Sequence, residues 1–214
     1  MTVIPAHAGI QSSTNSYKNK NVDNTNYLPP NPFAERVGNT ILALMGWRIE
    51  GALPPLDKFV VIGAHHTSNW DFVLFIAAKF VLRLNARWFA KHSIFRWPFG
   101  DLLKRWGGVP IRRDRQSNVV DQAVQQFREQ RQFMLVIAPE GTRKKVERWK
   151  MGFYHIARGA GVPVVLAALD YERRRIVIGP PFVPTGDEAA DLRQILAFYR
   201  DFPPKKPQYA FLGD

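Results

Sequence analysis

The stretch FVVIGAHHTSNWD, residues 59–71, joins a short apolar run to a polar segment and then to a helical pattern. The run FVVIG is apolar throughout, as is typical of a strand that is buried on both faces. Large apolar residues, Phe72, Ile76 and Phe80, then recur at helical spacing and predict a helix over residues 71–84. A strand followed by a helix indicates an α/β unit. The polar residues between them lie at the carboxyl end of the strand, where such sheets tend to place their chemistry.

The same alternation of short apolar runs and helical patterns continues along the chain. Apolar strands that alternate with helices predict a mostly parallel central sheet flanked by helices, and 214 residues suit a single domain. We therefore expect an α/β fold. The further strands are predicted at residues 87–90, 109–112, 133–138, 162–169 and 175–178, and the further helices after a capping Ser117, over 150–161 and over 187–199.

The first 32 residues are predicted to be a disordered tail, because they are rich in Asn, Ser and Thr and poor in large apolar groups. The domain is then expected over residues 33–214. It begins with an amphipathic helix at PFAERVGNTILALMGW. This helix has two interpretations: it packs on its own domain, or it lies in a membrane interface. No apolar run is long enough to predict a membrane-spanning helix.

The chain is strongly basic and has no cysteine. Its 30 Lys and Arg exceed its 18 Asp and Glu, which gives a net charge of +12. Such an excess favours anionic partners: nucleic acid, anionic membrane or phosphorylated substrates. Helix-turn-helix, RRM and zinc-binding patterns are missing from the sequence, so we expect no nucleic-acid partner. The lack of cysteine excludes disulfides, thiolate metal sites and a thiol nucleophile.

His66 and Asp71 can meet if His66 lies in the turn after the strand and Asp71 in the first helical turn, with Ser68 or Asn69 as the N-cap. A carboxylate that accepts from one imidazole nitrogen fixes the tautomer and raises the basicity of the other nitrogen. That nitrogen can take a proton from an alcohol. The spacing alone is also common in capping or packing roles. His65 adjoins the pair, but a metal site normally needs three or more protein ligands, so no metal is expected.

Three further motifs begin or end predicted strands: GGVPIRR at residues 107–113, APEGTR at 138–143 and GVPVVLAALD at 161–170. All could converge with His66 on one sheet edge. In this order, the motifs resemble those of the glycerolipid acyltransferase family, the lysophospholipid acyltransferases that include 1-acylglycerol-3-phosphate acyltransferase. The resemblance spans about residues 33–209, and it is strongest to short bacterial members that carry HTSNWD.

The resemblance implies a glycerolipid acyltransferase-like fold and roles for eight residues. These are His66 as the catalytic base, Asp71 as the carboxylate that orients it, Arg113 as the arginine that holds the acceptor's phosphate, Glu140, Gly141, Thr142 and Arg143 as acceptor-binding residues, and Pro163 as a residue on the acyl-donor side. An arginine fork suits phosphate, and a glycine lets the backbone approach a ligand closely. The sequence departs from the family pattern at Arg112, Lys144 and Ala167, and the two extra cations bear on the acceptor head group.

The implied reaction moves a fatty acyl group from a thioester, acyl-CoA or acyl carrier protein, to the hydroxyl of a lysophospholipid. Lysophosphatidic acid, giving phosphatidic acid in phospholipid biosynthesis, is the first acceptor, and the thioester is a co-substrate, so no cofactor is expected. Two alternatives stay open: the same chemistry on another lysolipid such as lyso-ornithine lipid, and a non-catalytic basic protein that binds lipid or nucleic acid. The sequence leaves the oligomeric state undetermined.

A membrane location follows from the implied product, because a diacyl lipid cannot leave into water. Without a predicted spanning helix, we expect a peripheral protein on the cytoplasmic face of the inner membrane. The apolar stripe at residues 33–45 and the rings Trp97 and Phe99 are predicted to enter the interface. Lysine and arginine side chains near them would contact anionic lipid.

Overall fold

A central sheet organises the computed structural model, which describes residues 26–96, 98–111, 116–211 and 213. Its described strands are β1 (Arg48–Glu50), β2 (Lys58–Ala64), β3 (Ala86–Lys91), β4 (Gly108–Ile111), β5 (Phe133–Ile137), β6 (Val164–Asp170) and β7 (Arg175–Phe182). They lie in the order β1-β7-β6-β2-β5-β3-β4. Within this described sheet every neighbouring pair is parallel except β6 and β7, which run antiparallel. The predicted α/β fold with a mostly parallel central sheet is confirmed.

Strand β2 lies in the middle of the sheet, between β6 and β5. Val60 and Ile62 pack in one core, and Phe59 and Val61, which alternate with them, pack in another. Successive side chains of a strand point to opposite faces, so β2 is buried on both sides. This is why its sequence is apolar at every position rather than at every second one.

The described helices are α1 (Pro32–Met45), α2 (Trp70–Val81), α3 (Gly100–Arg105), α4 (Gln116–Glu129), α5 (Gly152–Ala160) and α6 (Glu188–Tyr199). Helix α1 precedes β1, α6 follows β7, and the other four connect strands. Helices α4, α5 and α6 contribute Phe127, Phe153 and Ile195 to the core that holds Val60. Helices α1 and α2 contribute Leu42 and Leu74 to a separate core.

Some predicted bounds were wrong. Ser117 does not precede its helix, because α4 already begins at Gln116. The prediction also missed β1 and α3 and ended β7 four residues early, since the sequence GPPF at its end contains two prolines. Proline has no N–H for the sheet and is tolerated where the pairing is irregular. The pairing of β7 with β6 is irregular here, because its register shifts between Val165 and Ala167 of β6.

Two of the predicted segments fall partly or wholly on residues outside the described ranges: residues 1–25 of the tail, and Arg112 at the end of the predicted third strand. Residues 26–31 of the predicted tail are described and contact the domain. The side-chain amide of Asn26 donates to the carbonyl oxygens of Leu56 and Asp57, at 3.0 and 2.8 Å. Tyr27 forms an antiparallel bridge with Leu84.

Helix α1 starts at a side-chain cap, where Oδ1 of Asn31 accepts from the backbone N–H of Ala34 at 3.1 Å. A Cβ at Gly38 would lie 2.7 Å from the carbonyl oxygen of Ala77, so α1 can approach α2 closely only with glycine there. The inner face of α1 therefore packs on its own domain. On its outer face, Phe33 and Leu44 are 78% and 84% exposed. None of the described helices is both long enough and apolar enough to cross a membrane.

Candidate active site

His66 and Asp71 meet at the carboxyl end of the central strand. His66 lies in the loop of residues 65–69 that follows β2, and Asp71 is the second residue of α2. Nδ1 of His66 lies 3.3 Å from Oδ2 of Asp71, and the two side chains are 26% and 4% exposed. The strand and helix thus bring the pair together as the sequence predicts, with the carboxylate inside and the imidazole open to solvent.

The Asp71 carboxylate is held from several sides. Its Oδ2 accepts from the backbone N–H groups of Thr67 and Ser68, at 2.8 and 2.7 Å. Its Oδ1 accepts from the hydroxyl of Tyr171 at 2.5 Å. These bonds give both oxygens of the buried carboxylate hydrogen-bond donors, as a buried polar group requires. An ionised carboxylate can only accept, so the Nδ1 proton of His66 faces it and Nε2 is left with its lone pair.

The predicted N-cap does not form as expected. Asn69 occupies the cap position of α2, but its side chain makes no bond to the helix. Instead, Oγ of Ser68 accepts from the backbone N–H of Trp70 at 3.2 Å. The Asp71 side chain reaches back from the first turn of α2 to the backbone N–H groups of Thr67 and Ser68 in the loop. As a result, the bonds that close the 65–69 loop also orient the carboxylate.

Glu140 lies directly behind His66 and is 2% exposed. Its Oε1 accepts from the backbone N–H of His66 at 3.3 Å and lies 3.7 Å from Nδ1 of His65. The resemblance assigns Glu140 to acceptor binding, but its observed partners are protein atoms on the inner side of the loop. Such a position favours support of the His66 backbone.

A small buried polar group surrounds this contact. The ring centroid of Tyr199 lies 5.8 Å from that of His65 and 5.4 Å from that of Trp149. The Tyr199 hydroxyl donates to the carbonyl oxygen of Ile62 at 2.8 Å. Burial, followed by the nearby Glu140 charge, raises the pKa of Tyr199 well above its ordinary value, so this hydroxyl stays protonated. Tyr199 and Trp149 therefore pack against His65 on the inner side of the 65–69 loop.

The third motif adjoins the same loop from the end of β5. The Arg143 guanidinium donates from Nη1 to Oδ1 of Asn69. Gly141 has a φ of 61°, a conformation that favours glycine, and the Lys150 side chain passes over it. The hydroxyl of Thr142 accepts from the backbone N–H of Lys144 at 3.3 Å. The structure therefore places Arg143, on an exposed surface, beside the residues that carry His66.

The second and fourth motifs have different outcomes. Arg113 lies outside the described residues, beyond the carboxyl end of β4. Pro163 lies just before β6, and its carbonyl oxygen accepts from the backbone N–H of Val60 at 3.0 Å. This is the amino end of β2, and six residues of strand, about 20 Å, separate it from His66. The fourth motif spans β6, which runs parallel to β2, so its last residue, Asp170, reaches the end of the sheet that carries His66, whereas Pro163 lies at the opposite end.

The sequence prediction missed residues of the site that follow β6 and α6. Tyr171, directly after β6, donates to Asp71 as described above. The segment of residues 203–206 also contacts the site: the backbone N–H of Lys206 donates to Oγ1 of Thr67 at 3.3 Å. Nζ of Lys205 lies 5.0 Å from the ring centroid of Trp70. The position of Tyr171 after a strand was a usable signal, whereas nothing in the sequence indicated the contact of residues 203–206.

Within the described ranges, no group of three or more His, Asp or Glu side chains could hold a metal ion. Absence of a metal from the reaction stays a prediction.

Comparisons with known proteins show the family and support the fold. The family model described as Acyltransferase matches residues 47–169, more than half of the chain. Among solved structures, the chain is similar to the 1-acyl-sn-glycerophosphate (LPA) acyltransferase PlsC from Thermotoga maritima, with 22% identity and a TM-score of 0.54. That match covers 76% of this chain and 73% of the other, and it supports the fold. No curated protein matches the chain.

Proposed function

This chain belongs to the acyltransferase family, and from that premise we propose that it esterifies the free hydroxyl of a lysophospholipid with a fatty acyl group from a thioester. Lysophosphatidic acid is the acceptor proposed first, with phosphatidic acid as the product. The thioester is carried on coenzyme A or on acyl carrier protein, and the reaction needs no further cofactor. The observation that carries the proposal is the 3.3 Å approach of His66 Nδ1 to the buried Asp71 carboxylate.

The proposed reaction is a single transfer. The acceptor oxygen attacks the thioester carbonyl carbon while Nε2 of His66 takes the hydroxyl proton. Asp71, bound to Nδ1, stabilises the imidazolium that forms. The tetrahedral intermediate then breaks its carbon–sulfur bond, and the thiolate takes the proton from His66. An ester and a free thiol result, and the imidazole returns to its starting state.

Arg143 is proposed to hold the acceptor's phosphate. Its guanidinium carries five N–H donors in a planar fork, and the bond to Asn69 uses one nitrogen only. That bond fixes the arginine to the loop that carries His66, so a phosphate bound to it would present the acceptor hydroxyl to Nε2, an orientation effect. Arg113 shares this proposed role on the strength of the resemblance.

The proposed location is the membrane surface, on the cytoplasmic face of the inner membrane. Phe33 and Leu44 on α1 are exposed, as is Phe99 at the start of α3, which is 65% exposed. The net charge of +12 would attract anionic lipid to such surfaces. Membrane contact gives the enzyme access to a lipid acceptor and a place to release a lipid product.

The experiment that tests the proposed function is an acceptor panel. The purified chain is incubated with lysophosphatidic acid, other lysophospholipids or lyso-ornithine lipid, each with acyl-CoA or acylated carrier protein, and products are read by lipid mass spectrometry. We expect phosphatidic acid from lysophosphatidic acid, and about 10²- to 10⁴-fold less of it in the same time with the His66→Ala variant. If only lyso-ornithine lipid gave a product, it would take the place of lysophosphatidic acid as the proposed acceptor. If no combination of acceptor and donor gave a product, the proposed function would be overturned.

A further inference from the structure

Tyr171 contacts the candidate catalytic pair from a position outside all four motifs. It directly follows β6 and lies 100 positions after Asp71, yet its hydroxyl donates to Asp71 Oδ1 at 2.5 Å. The other carboxylate oxygen faces His66 Nδ1 and two backbone N–H groups. The two oxygens of Asp71 thus have separate tasks, and Tyr171 is the partner of the oxygen that does not face His66.

We propose that Tyr171 is a positioning residue of the active site, which fixes the rotation of the Asp71 carboxylate and sets how much of its negative charge is available to His66. The inference rests on the proposed function, in which His66 is the base. In the proposed reaction, Tyr171 contacts neither the substrates nor the reacting atoms. It acts through Asp71 as a third member of a Tyr171–Asp71–His66 series.

The phenol is suited to donate only. Burial, followed by the hydrogen bond to Asp71 and its charge, raises the pKa of Tyr171 above its ordinary value. The hydroxyl therefore stays neutral over the pH range in which a histidine base works. Because an ionised carboxylate can only accept, the direction of this hydrogen bond is fixed.

The Tyr171 side chain is itself held in place by groups from separate parts of the chain. Its ring centroid lies 4.9 Å from that of Trp47, which it meets edge to face at 81°. Its backbone N–H donates to the carbonyl oxygen of Pro203 at 3.2 Å. Nζ of Lys205 lies 6.0 Å from its ring centroid. Tyr171 is therefore contacted by three residues from separate parts of the chain, Trp47, Pro203 and Lys205.

The charge effect has a definite sign. A hydrogen bond from Tyr171 takes up part of the negative charge of Asp71. Without it, more of that charge acts on the His66 ring and favours the protonated imidazolium. The base would then stay protonated up to a higher pH. The other charged groups near the loop are Glu140, Arg143 and Lys205. We expect them to keep their places when only the phenolic oxygen is removed.

The test compares Tyr171→Phe with Tyr154→Phe. Tyr154 is a matched control, because its hydroxyl donates to the buried Asp191 at 2.8 Å, far along the chain from the pair. Both variants lose a Tyr–Asp hydrogen bond and should unfold at lower temperature. Only Tyr171→Phe is expected to lower kcat, by about tenfold with the KM values unchanged, and to move the acid limb of the pH profile upward by about half a unit.

A second variant keeps the test decisive if Tyr171→Phe folds poorly. Replacement of Tyr171 by 3-fluorotyrosine keeps the hydroxyl and makes it a stronger donor, so the acid limb is expected to move downward. An acid limb that stays at the wild-type position in both variants would overturn the proposal, as would an equal shift in Tyr154→Phe.

One readout does not depend on turnover. The pH at which the NMR signals of the His66 ring change, assigned by their loss in His66→Gln, should rise in Tyr171→Phe. If the wild type transfers no acyl group, the proposed function fails but this titration still decides the role of Tyr171. If the wild type is active and the titration is unmoved, only the role of Tyr171 fails.

Discussion

Oε1 of Glu140 accepts a hydrogen bond from the backbone N–H of His66, 3.3 Å away. Glu140 follows β5 and His66 follows β2, and these strands are neighbours in the sheet. The bond therefore ties together the ends of adjacent strands at the point where the imidazole must be held still. The carboxylate is 2% exposed, so this bond is not in competition with bulk water.

Two variants of Glu140 distinguish two roles for its side chain, support of the His66 backbone and binding of the acceptor. Glu140→Gln keeps a carbonyl oxygen for the His66 N–H, whereas Glu140→Ala leaves that N–H without its acceptor. We expect Glu140→Ala to lower kcat by about tenfold or more and to destabilise the fold by about 1–3 kcal/mol. Glu140→Gln should lose much less of both. If both variants instead raised the acceptor KM equally, the carboxylate would be an acceptor ligand.

His66→Ala tests the base. Loss of a general base is expected to lower kcat by about 10²- to 10⁴-fold while thermal stability stays near that of the wild type. His92, exposed on the turn after β3, provides the matched control, and His92→Ala should keep full turnover with labelled acyl donor. Near-normal turnover of His66→Ala would remove His66 from the mechanism.

Arg143→Ala tests the phosphate contact. The acceptor KM is expected to rise about tenfold or more for lysophosphatidic acid, because a charge-assisted contact is lost, while the donor KM stays the same. Arg148→Ala removes an exposed arginine from the same segment and should change neither value. Steady-state kinetics with each substrate varied in turn decides the matter, and equal losses for donor and acceptor would contradict the assignment.

Vesicle binding tests the membrane surface. We expect binding to increase with the fraction of anionic lipid and to decrease with added salt, since the attraction is screened. Leu44→Ser should weaken binding, and Val183→Ser, at an exposed position outside α1, should not. Flotation assays provide the measurement. Binding that ignores both lipid charge and salt would rule out electrostatic docking.

Asp170 gives a pH-dependent prediction about stability. Burial alone would raise the pKa of Asp170. The backbone N–H of Arg173 and the guanidinium of Arg175 lower this pKa by more than burial raises it, so the net pKa lies below the ordinary value. The stabilisation is therefore fully present above about pH 4 and is lost as the pH falls through the lower native value. The Asp170 side chain is fully buried against Arg175, 2.8 Å away.

The matched variants are Asp170→Asn and Asp101→Asn, the latter at an 89% exposed side chain. We expect Asp170→Asn to lose about 3 kcal/mol at pH 7 and to show a flatter decline of stability as the pH falls below about 4, the ordinary aspartate value. Asp101→Asn should follow the wild type. Urea unfolding across this pH range measures both, and a parallel decline in all three proteins would contradict the role of Asp170.

Much of the fold could be predicted because its signals are local. Residues 59–63 are apolar at every position, which marks a strand buried on both faces, and the structure places that strand in the middle of the sheet. The meeting of His66 and Asp71 also follows from local geometry, since only a turn and the first helical residues separate them. Strand-to-helix units carry this information within about a dozen residues.

The rest depends on contacts between distant parts of the chain. The β6–β7 pair is antiparallel because a short turn at Tyr171–Arg174 reverses the chain, which apolar pattern alone does not reveal. The motif at residues 161–170 spans a whole strand, so only its last residue, Asp170, reaches the end of the sheet that carries His66, and Pro163 does not. Tyr171 and Lys206 act on Asp71 and Thr67 from 100 and 139 positions away, and no periodicity reports such separations.

The bond from Lys206 to Thr67 has a consequence for biosynthesis. During synthesis, the 65–69 loop leaves the ribosome before Lys206, whose backbone N–H binds Thr67 and which is made 139 residues later. A nascent chain that ends before Pro203 would contain His66 and Asp71. It would lack the Lys206 N–H that binds Thr67 and the Pro203 carbonyl that accepts from the backbone of Tyr171. The loop can therefore be completed only after residues 203–206 have been synthesised.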